Sequence, residues 1–492
     1  MRAHEAGALH AEGYGGPPHW LPWPTDVMEL LPQLWPQTVR RDGTGRLEVG
    51  GVDVVTLAQQ YGTAAYVVDE EDFRARARAF RDGFAGPFEP VCGGVDVYYA
   101  GKAFLCTAVA RWVAEEGLCL DVASGGELAV AQRAGFPAER IGMHGNNKSL
   151  TEIQQALEYG VGRIIVDSFE EIDRIAAVAT ELGVRAPVMI RVTVGVEAHT
   201  HEFIATAHED QKFGFSLAGG RAAEAIERIV ERADVLDLLG LHSHIGSQIF
   251  DTSGFEVSAR RLIALHAQVA REHGLHMPEM DLGGGYGIAY TSEHTPLTAQ
   301  ELGEQMADLV RREFKALGGR NGDGSAHGDG SADGDGFPVP RISIEPGRAI
   351  VGPSTFTLYE VGTVKDVDLG HGAKRTYVSV DGGMSDNIRT ALYDADYSCT
   401  LASRRSEAGP RLSRVVGKHC ESGDIVVMDE YLPDDITSGD LIAVPGTGAY
   451  CRSLSSQYNH VPRPPVIAVR GGEARVIVRR ETVDDLLALD VP

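Results

Sequence analysis

Apolar residues alternate with other types at Val95, Val97 and Tyr99, and the run stops at Gly101-Lys102. Alternation of this kind is the period of a buried strand. Helical spacing takes over with Phe104, Val109 and Trp112, so Lys102 stands where a strand ends and a helix begins. A strand-then-helix rhythm runs on from residue 63. It predicts strands over 94–101, 117–123, 140–145, 162–167, 187–193, 238–245, 279–283 and 341–345. Helical patterns fall between them, over 104–116, 126–134, 151–159, 169–182, 221–232, 255–273 and 299–317. Eight strands alternating with helices predict an α/β fold with a parallel (β/α)8 TIM-like barrel. An open doubly wound sheet carries the same pattern, because periodicity does not prove closure.

After residue 353 the rhythm changes. Strands follow one another with little helix, over 358–367, 375–380, 413–417, 423–428, 439–444, 464–470 and 474–480. This predicts a β-domain over 353–492, behind a barrel over 63–352. Arg46 to Val49 and Val52 to Val55 read as a hairpin turning at Gly50-Gly51, so that segment 36–62 joins the β-domain from the other end of the chain. Residues 1–35 are rich in Gly, Pro and His and carry Trp20, Trp23 and Trp35; they read as a tail that packs on the surface late or stays mobile. Residues 318–336 are low in complexity, dominated by Gly, Asp and Ser, with nothing that packs. The Asp-x-Asp-Gly fragments there lack the final glutamate and the spacing of a calcium loop. The stretch reads as a surface insertion before the last barrel strand.

Composition adds limits. At 492 residues the chain has room for two or three domains, and 43% hydrophobic with 23% charged residues is a globular balance. A net charge of −25 without a long basic run argues against nucleic acid or an anionic membrane as partner. The N-terminus lacks the apolar core of a signal peptide, and no stretch of 18 apolar residues occurs, which places the protein in the cytoplasm. Cys92, Cys106, Cys119, Cys399, Cys420 and Cys451 are scattered without a Cys-x-x-Cys pair, so neither a disulfide framework nor a structural zinc site is expected.

In a (β/α)8 barrel the chemistry lies at the C-terminal ends of the strands. Read in order, those ends carry Lys102, Asp121 with Glu127, His144 with Lys148, Asp167, Arg191, His242 to Gln248, Gly283-Gly284-Gly285, and Glu345 to Arg348. Each has an ordinary reading: a solvated lysine, a plain glycine loop, a turn with a surface ion pair. Together they set a lysine, histidines, a carboxylate, an arginine and a glycine triplet around one mouth. Glycines let backbone N–H groups converge on an anion such as phosphate. A lysine, an anion cradle, a stacking histidine and a carboxylate are what a pyridoxal phosphate site requires. His242 and His244, two apart on a strand, would share a face, which is also the geometry of a barrel metallohydrolase.

Five motifs carry a resemblance. Tyr99 to Ala103, His242 to Gln248, Asp281 to Gly287, Glu345 to Arg348 and Cys420 to Asp424 resemble those of the alanine-racemase-like, fold type III pyridoxal phosphate decarboxylases, in the same order and over roughly 35–485. The resemblance implies a barrel plus β-domain and a homodimer with two shared active sites. It implies pyridoxal 5'-phosphate on Lys102, His244 stacked on the ring, and Glu345 at the pyridine nitrogen. Ser247, Gly283, Gly284, Gly285, Gly347, Arg348 and Tyr450 are implied around phosphate and substrate, with no metal. Cys420 is implied as the partner subunit's proton donor, and Arg389, Tyr393 and Glu421 as substrate residues. The reaction implied is decarboxylation of a small amino acid with a second zwitterionic head, meso-2,6-diaminopimelate, to L-lysine. A decarboxylase of another basic amino acid, and a non-catalytic regulator derived from one, share much of this pattern.

Overall fold

Ser/Thr-x-x-Glu sequences open several helices just after a strand or loop. Ser124, Ser149, Ser168 and Thr298 each accept a hydrogen bond from the backbone N–H three residues on, which satisfies an otherwise unpaired donor of the first turn. At Ser149 and Thr298 the glutamate side chain answers the N–H of the cap, completing a capping box. These caps fix where each strand hands over to its helix, and so where the polar strand ends lie.

The computed structural model describes residues 17–195, 212–319, 337–370 and 373–491. The expected insertion lies outside the described residues from 320 on, as does the tail up to 16. The N-terminal strands are β1 (Arg40–Arg41), β2 (Leu47–Val49), β3 (Val52–Asp53) and β4 (Ala65–Asp69). Then come β5 (Val95–Ala100), β6 (Cys119–Val122), β7 (Ile141–Met143), β8 (Arg163–Val166), β9 (Ala186–Thr193), β10 (Phe215–Ser216), β11 (Leu236–His242), β12 (Glu279–Gly284) and β13 (Arg341–Glu345). The last group is β14 (Thr355–Gly370), β15 (Ala373–Val380), β16 (Thr400–Leu401), β17 (Pro410–Val416), β18 (Ile425–Pro433), β19 (Leu441–Pro445), β20 (Val466–Arg470) and β21 (Glu473–Val478).

The chain forms two units, one of residues 74–287 with 296–349, the other of 1–73, 288–295 and 350–492. In the first, β5, β6, β7, β8, β9, β11, β12 and β13 pair in parallel, and β13 returns to β5. The sheet is therefore closed, and the open alternative is excluded. Helices such as Phe169–Leu182, Ser253–His273 and Ala299–Ala316 separate the strands in sequence. A charged layer crosses the barrel interior. Arg163, on β8, donates to Asp281 on β12 at 2.5 Å and to Ser343 on β13 at 2.9 Å, with its guanidinium 3.5 Å from the Tyr98 ring centre. A buried guanidinium needs such a counterion and stacking face.

The second unit is built on a sheet in the order β18-β17-β15-β14-β4-β20-β21, with β19 paired to β14 and β16. Strand β4 lies inside it, antiparallel to β14 and parallel to β20. Ala65–Asp69, inside the stretch 63–352 expected to form the barrel, thus belongs to the β-sheet unit. The expected hairpin forms as β2 and β3, within a small sheet of its own with β1. Leu47 and Val49 pack in one core with Leu34, Trp35, Val67, Phe356 and Ile467. Within 17–35, Trp20, Met28, Leu34 and Trp35 are buried, so this part of the expected tail is packed. Composition concealed four apolar anchors among the glycines and prolines. Among the described residues, no helix is long and apolar enough to cross a membrane.

Candidate active site

At the end of β5 the chain makes one tight turn, Gly101–Ala103, which lifts Lys102 out of the strand. Gly101 is needed there: a Cβ would stand 2.6 Å from the Asp121 carbonyl oxygen. The Lys102 side chain is exposed, and it faces a cavity also lined by Asp121, Glu127, His144, Arg191, Phe213, His242, His244 and Glu345. Most of the polar strand ends read from the sequence therefore meet around one space.

Glu345 ends β13 and is almost fully buried. Its Oε1 lies 3.0 Å from His242 Nε2 and 3.3 Å from His144 Nε2. Burial alone would favour the neutral acid, but the contact with the His242 imidazole outweighs it and holds the carboxyl well below its usual range. His144 Nε2 is also 3.1 Å from Asp121 Oδ1. Burial, then the Glu345 charge, raises the Asp121 carboxyl far above its ordinary value. Burial likewise keeps the His144 imidazole neutral. The cluster thus favours the anion at Glu345 and disfavours it at Asp121.

The two histidines of the His-Ser-His sequence do not share a task. Strand β11 ends at His242, so the two-residue period that would set both side chains on one face stops there. His242 turns to Glu345, whereas His244 Nδ1 accepts a hydrogen bond from the Gly284 N–H at 3.2 Å. That bond leaves the ring proton to Nε2. Burial and then the Lys102 charge depress the His244 pKa far below the usual value, so the ring is neutral. The atoms of His144, His242 and Glu345 lie within 4.8 Å of one another, close enough to ring a metal. An amine in the same cavity is a poor neighbour for a cation.

Glycines make the adjoining loop. Gly283 has φ +73° and Gly285 φ +108°, and a Cβ on either would strike the carbonyl of Ser243 or of Gly246. Only glycine fits both the left-handed backbone and the close approach. Ile249 donates to Gly285 and Gly287 to Ile249, each at 2.9 Å, so the two loops run locked together. Arg348 donates to Ser247 at 2.8 Å across them, and Gly347 lies against Ala100, where a Cβ would come within 2.9 Å. Lys148, also read from a strand end, does other work: it is buried on Glu171 at 3.1 Å and on the carbonyls of Gly145 and Ile165. Phe213, under the Arg191 guanidinium at 4.2 Å, was not foreseen; its signal was the aromatic pair in Lys212-Phe213-Gly214-Phe215.

The remaining expected residues lie in the other unit. Arg389 opens the short helix Arg389–Tyr393 and is buried. It donates to the Tyr397 hydroxyl at 2.6 Å, and the Tyr290 ring centre is 4.9 Å from its guanidinium. Its Nε has no hydrogen-bond partner, and among the described residues no carboxylate pairs with it. Tyr393 and Glu421 are half-buried, Cys420 is exposed, and Tyr450 holds a backbone φ of +65°.

A closed (β/α)8 barrel whose mouth joins a free lysine, a fixed carboxylate, a neutral histidine and a glycine cradle has the parts of a pyridoxal phosphate enzyme. The donor set fits that cofactor: an amine for its aldehyde, an anion for its ring nitrogen, and a cradle that any Cβ would fill. The family model for the pyridoxal-dependent decarboxylase, pyridoxal binding domain, matches residues 70–352. A diaminopimelate decarboxylase of Mycobacterium tuberculosis is 53% identical over 470 residues, 95% of this chain and 99% of the relative. That of Mycobacterium leprae is 51% identical over 497 residues, 100% of each. The crystal structure of the diaminopimelate decarboxylase of M. jannaschii in co-complex with L-lysine superposes with a TM-score of 0.82 at 30% identity, covering 93% of this chain and 99% of that one. The chain belongs to the pyridoxal-dependent decarboxylases, in the diaminopimelate decarboxylase family. It is a pyridoxal phosphate-dependent carboxy-lyase.

Proposed function

We propose that the chain converts meso-2,6-diaminopimelate to L-lysine and carbon dioxide, the last step of lysine biosynthesis. Arg389 is the observation that carries the substrate. A buried guanidinium with no carboxylate partner is costly, and its planar fork matches a carboxylate. The distal carboxylate of diaminopimelate is the missing anion; lysine and ornithine have none to offer. Tyr393 stands one turn further on the same helix, and Glu421 offers a charge for the distal ammonium. The near identity of half the residues to relatives named for this reaction supports the same reading.

Bound pyridoxal phosphate supplies an electron sink for the pair left when the carboxylate departs. The chain's own residues prepare the site. Lys102 holds the cofactor through its amine. Glu345, kept ionised by its contact with His242, would hold a proton at the ring nitrogen. His244, neutral and fixed by Gly284, serves as the stacking face. Ser247, Gly283 to Gly285, Gly347, Arg348 and Tyr450 receive the phosphate and the near end of the substrate. Cys420 delivers the proton that replaces the lost carboxylate, and it does so for the partner subunit of a homodimer. The reaction belongs in the cytoplasm, in keeping with six free cysteines. The test is carbon dioxide release from meso-diaminopimelate, lysine, ornithine and arginine. Turnover led by ornithine or arginine would overturn the substrate assignment.

A further inference from the structure

Strands β15 and β17 pair in parallel, Ser379 opposite Val416, so the loops that follow them leave the sheet side by side. The first loop, 381–388, leads to Arg389. The second, 417–424, carries Cys420 and Glu421 and returns into β18. Along residues 417–424 only His419 and Asp424 are buried, while Lys418, Cys420 and Ser422 are exposed. No aliphatic side chain of this tip is buried, though the His419 ring lies 5.4 Å from that of Tyr458. Its place is set by polar contacts to the neighbouring loop.

Asp424 makes one of them and a further bond within the tip. Its Oδ1 accepts from the Met384 N–H at 2.6 Å and its Oδ2 from the His419 N–H at 2.7 Å. One carboxylate thereby ties the residue before Cys420 to the loop that leads to Arg389. Backbone glycines make room for it. A Cβ on Gly383 would lie 2.5 Å from Asp424 Oδ1, and one on Gly417 would strike the same carboxylate. A second tie runs parallel, His419 Nε2 to Ser385 Oγ at 2.8 Å, and Lys418 N–H reaches the Gly382 carbonyl at 3.0 Å. Cys420 donates its N–H to Asn459 Oδ1 at 3.0 Å.

We propose that Asp424 is a positioning residue for the decarboxylation, holding the exposed Cys420–Glu421 tip at a fixed place against the Arg389 loop. The inference rests on the proton-donating role of Cys420 given above. A donor must meet the reacting carbon within a hydrogen-bond length, and misplacement by about 1 Å costs on the order of 100-fold.

The experiment compares Asp424→Ala, Asp424→Asn and Cys420→Ala as purified holoenzymes. Each is assayed for cofactor absorbance, for kcat and KM with meso-diaminopimelate, and for the rate of Cys420 alkylation by iodoacetamide, read on the peptide by mass spectrometry. Asp424→Ala is expected to lower kcat about 100-fold, to retain cofactor absorbance, and to alter the alkylation rate several-fold. Asp424→Asn keeps one acceptor oxygen and the side-chain size, so it should fall between; it decides the matter if the alanine variant does not fold. Native kcat with a native alkylation rate in the Asp424 variants would overturn the proposal. Full kcat in Cys420→Ala would instead remove the role of Cys420, while the alkylation rate would still decide whether Asp424 sets the tip.

Discussion

His242 Nε2 lies 3.0 Å from Glu345 Oε1, with both side chains closed off from solvent. The contact joins the ends of β11 and β13 and holds the carboxylate proposed above to face the cofactor ring nitrogen. Glu345→Gln keeps the shape and removes the charge. A hydrogen bond to a charged group is worth about 1.5–3 kcal/mol, so kcat should fall roughly 10- to 100-fold. Cofactor absorbance should persist, because Lys102 is untouched. An unchanged kcat in a variant that binds cofactor would show that Glu345 does not serve the ring.

Arg389→Ala separates substrates. It leaves the distal carboxylate of diaminopimelate unpaired, a loss of about 2–5 kcal/mol for a buried charge pair. The kcat/KM for meso-diaminopimelate should drop about 30-fold or more. Weak turnover of lysine, which lacks that carboxylate, should change far less. Equal losses on both substrates would mean general damage and not lost recognition.

Lys102→Ala should abolish the visible absorbance of bound cofactor and nearly all turnover. Mixed with Cys420→Ala subunits, it also tests the shared dimer. Each heterodimer would hold one site with both residues intact, so an equal mixture of two inactive parents should regain about a quarter of native activity. No recovery in verified heterodimers would place Lys102 and Cys420 of one chain in the same site.

Acid sensitivity should trace in part to His266. It is fully buried between Phe314 and Phe337, with neither ring nitrogen hydrogen-bonded among the described residues, and burial lowers its pKa to about 4. The unfolded chain binds that proton near pH 6.5. Between these values the unfolded state is protonated and the folded state is not, so stability is lost as pH falls through this window. At pH 5 the loss is about 2 kcal/mol relative to pH 8. Urea unfolding at both values should show the loss in the native protein and a smaller one in His266→Leu. Identical acid losses would mean that His266 takes up its proton in the fold without cost.

The barrel was legible because its strands are short apolar runs that end in polar or glycine clusters. Those same ends held Lys102, His144, Arg191, His244 and Glu345, so the cavity was legible too. Partners were not. Ala65–Asp69 reads as a strand, but alternation does not say which sheet receives it. Arg163 and Asp281 lie 118 positions apart, and only closure of the barrel brings them to 2.5 Å. His242 and His244 were paired by a period that ends at His242. Trp35 was judged by its polar and glycine-rich surroundings, whereas burial depends on what Phe356 and Leu47 offer it.

The position of β4 has a consequence for how the chain is made. The barrel needs nothing beyond β13 to close its sheet, so it can be complete once residue 345 has left the ribosome. Strand β4, synthesised earlier, has to wait for both neighbours. Its flanking Glu70 pairs with Arg470, 400 positions later. At about 5–20 residues per second that wait is roughly 20–80 s. Until β14 is made, the stretch Ala-Tyr-Val-Val-Asp is an unpaired apolar strand, and until β20 is made it keeps one open edge. A nascent chain halted before β20 should therefore be the form most prone to aggregate and most in need of a chaperone.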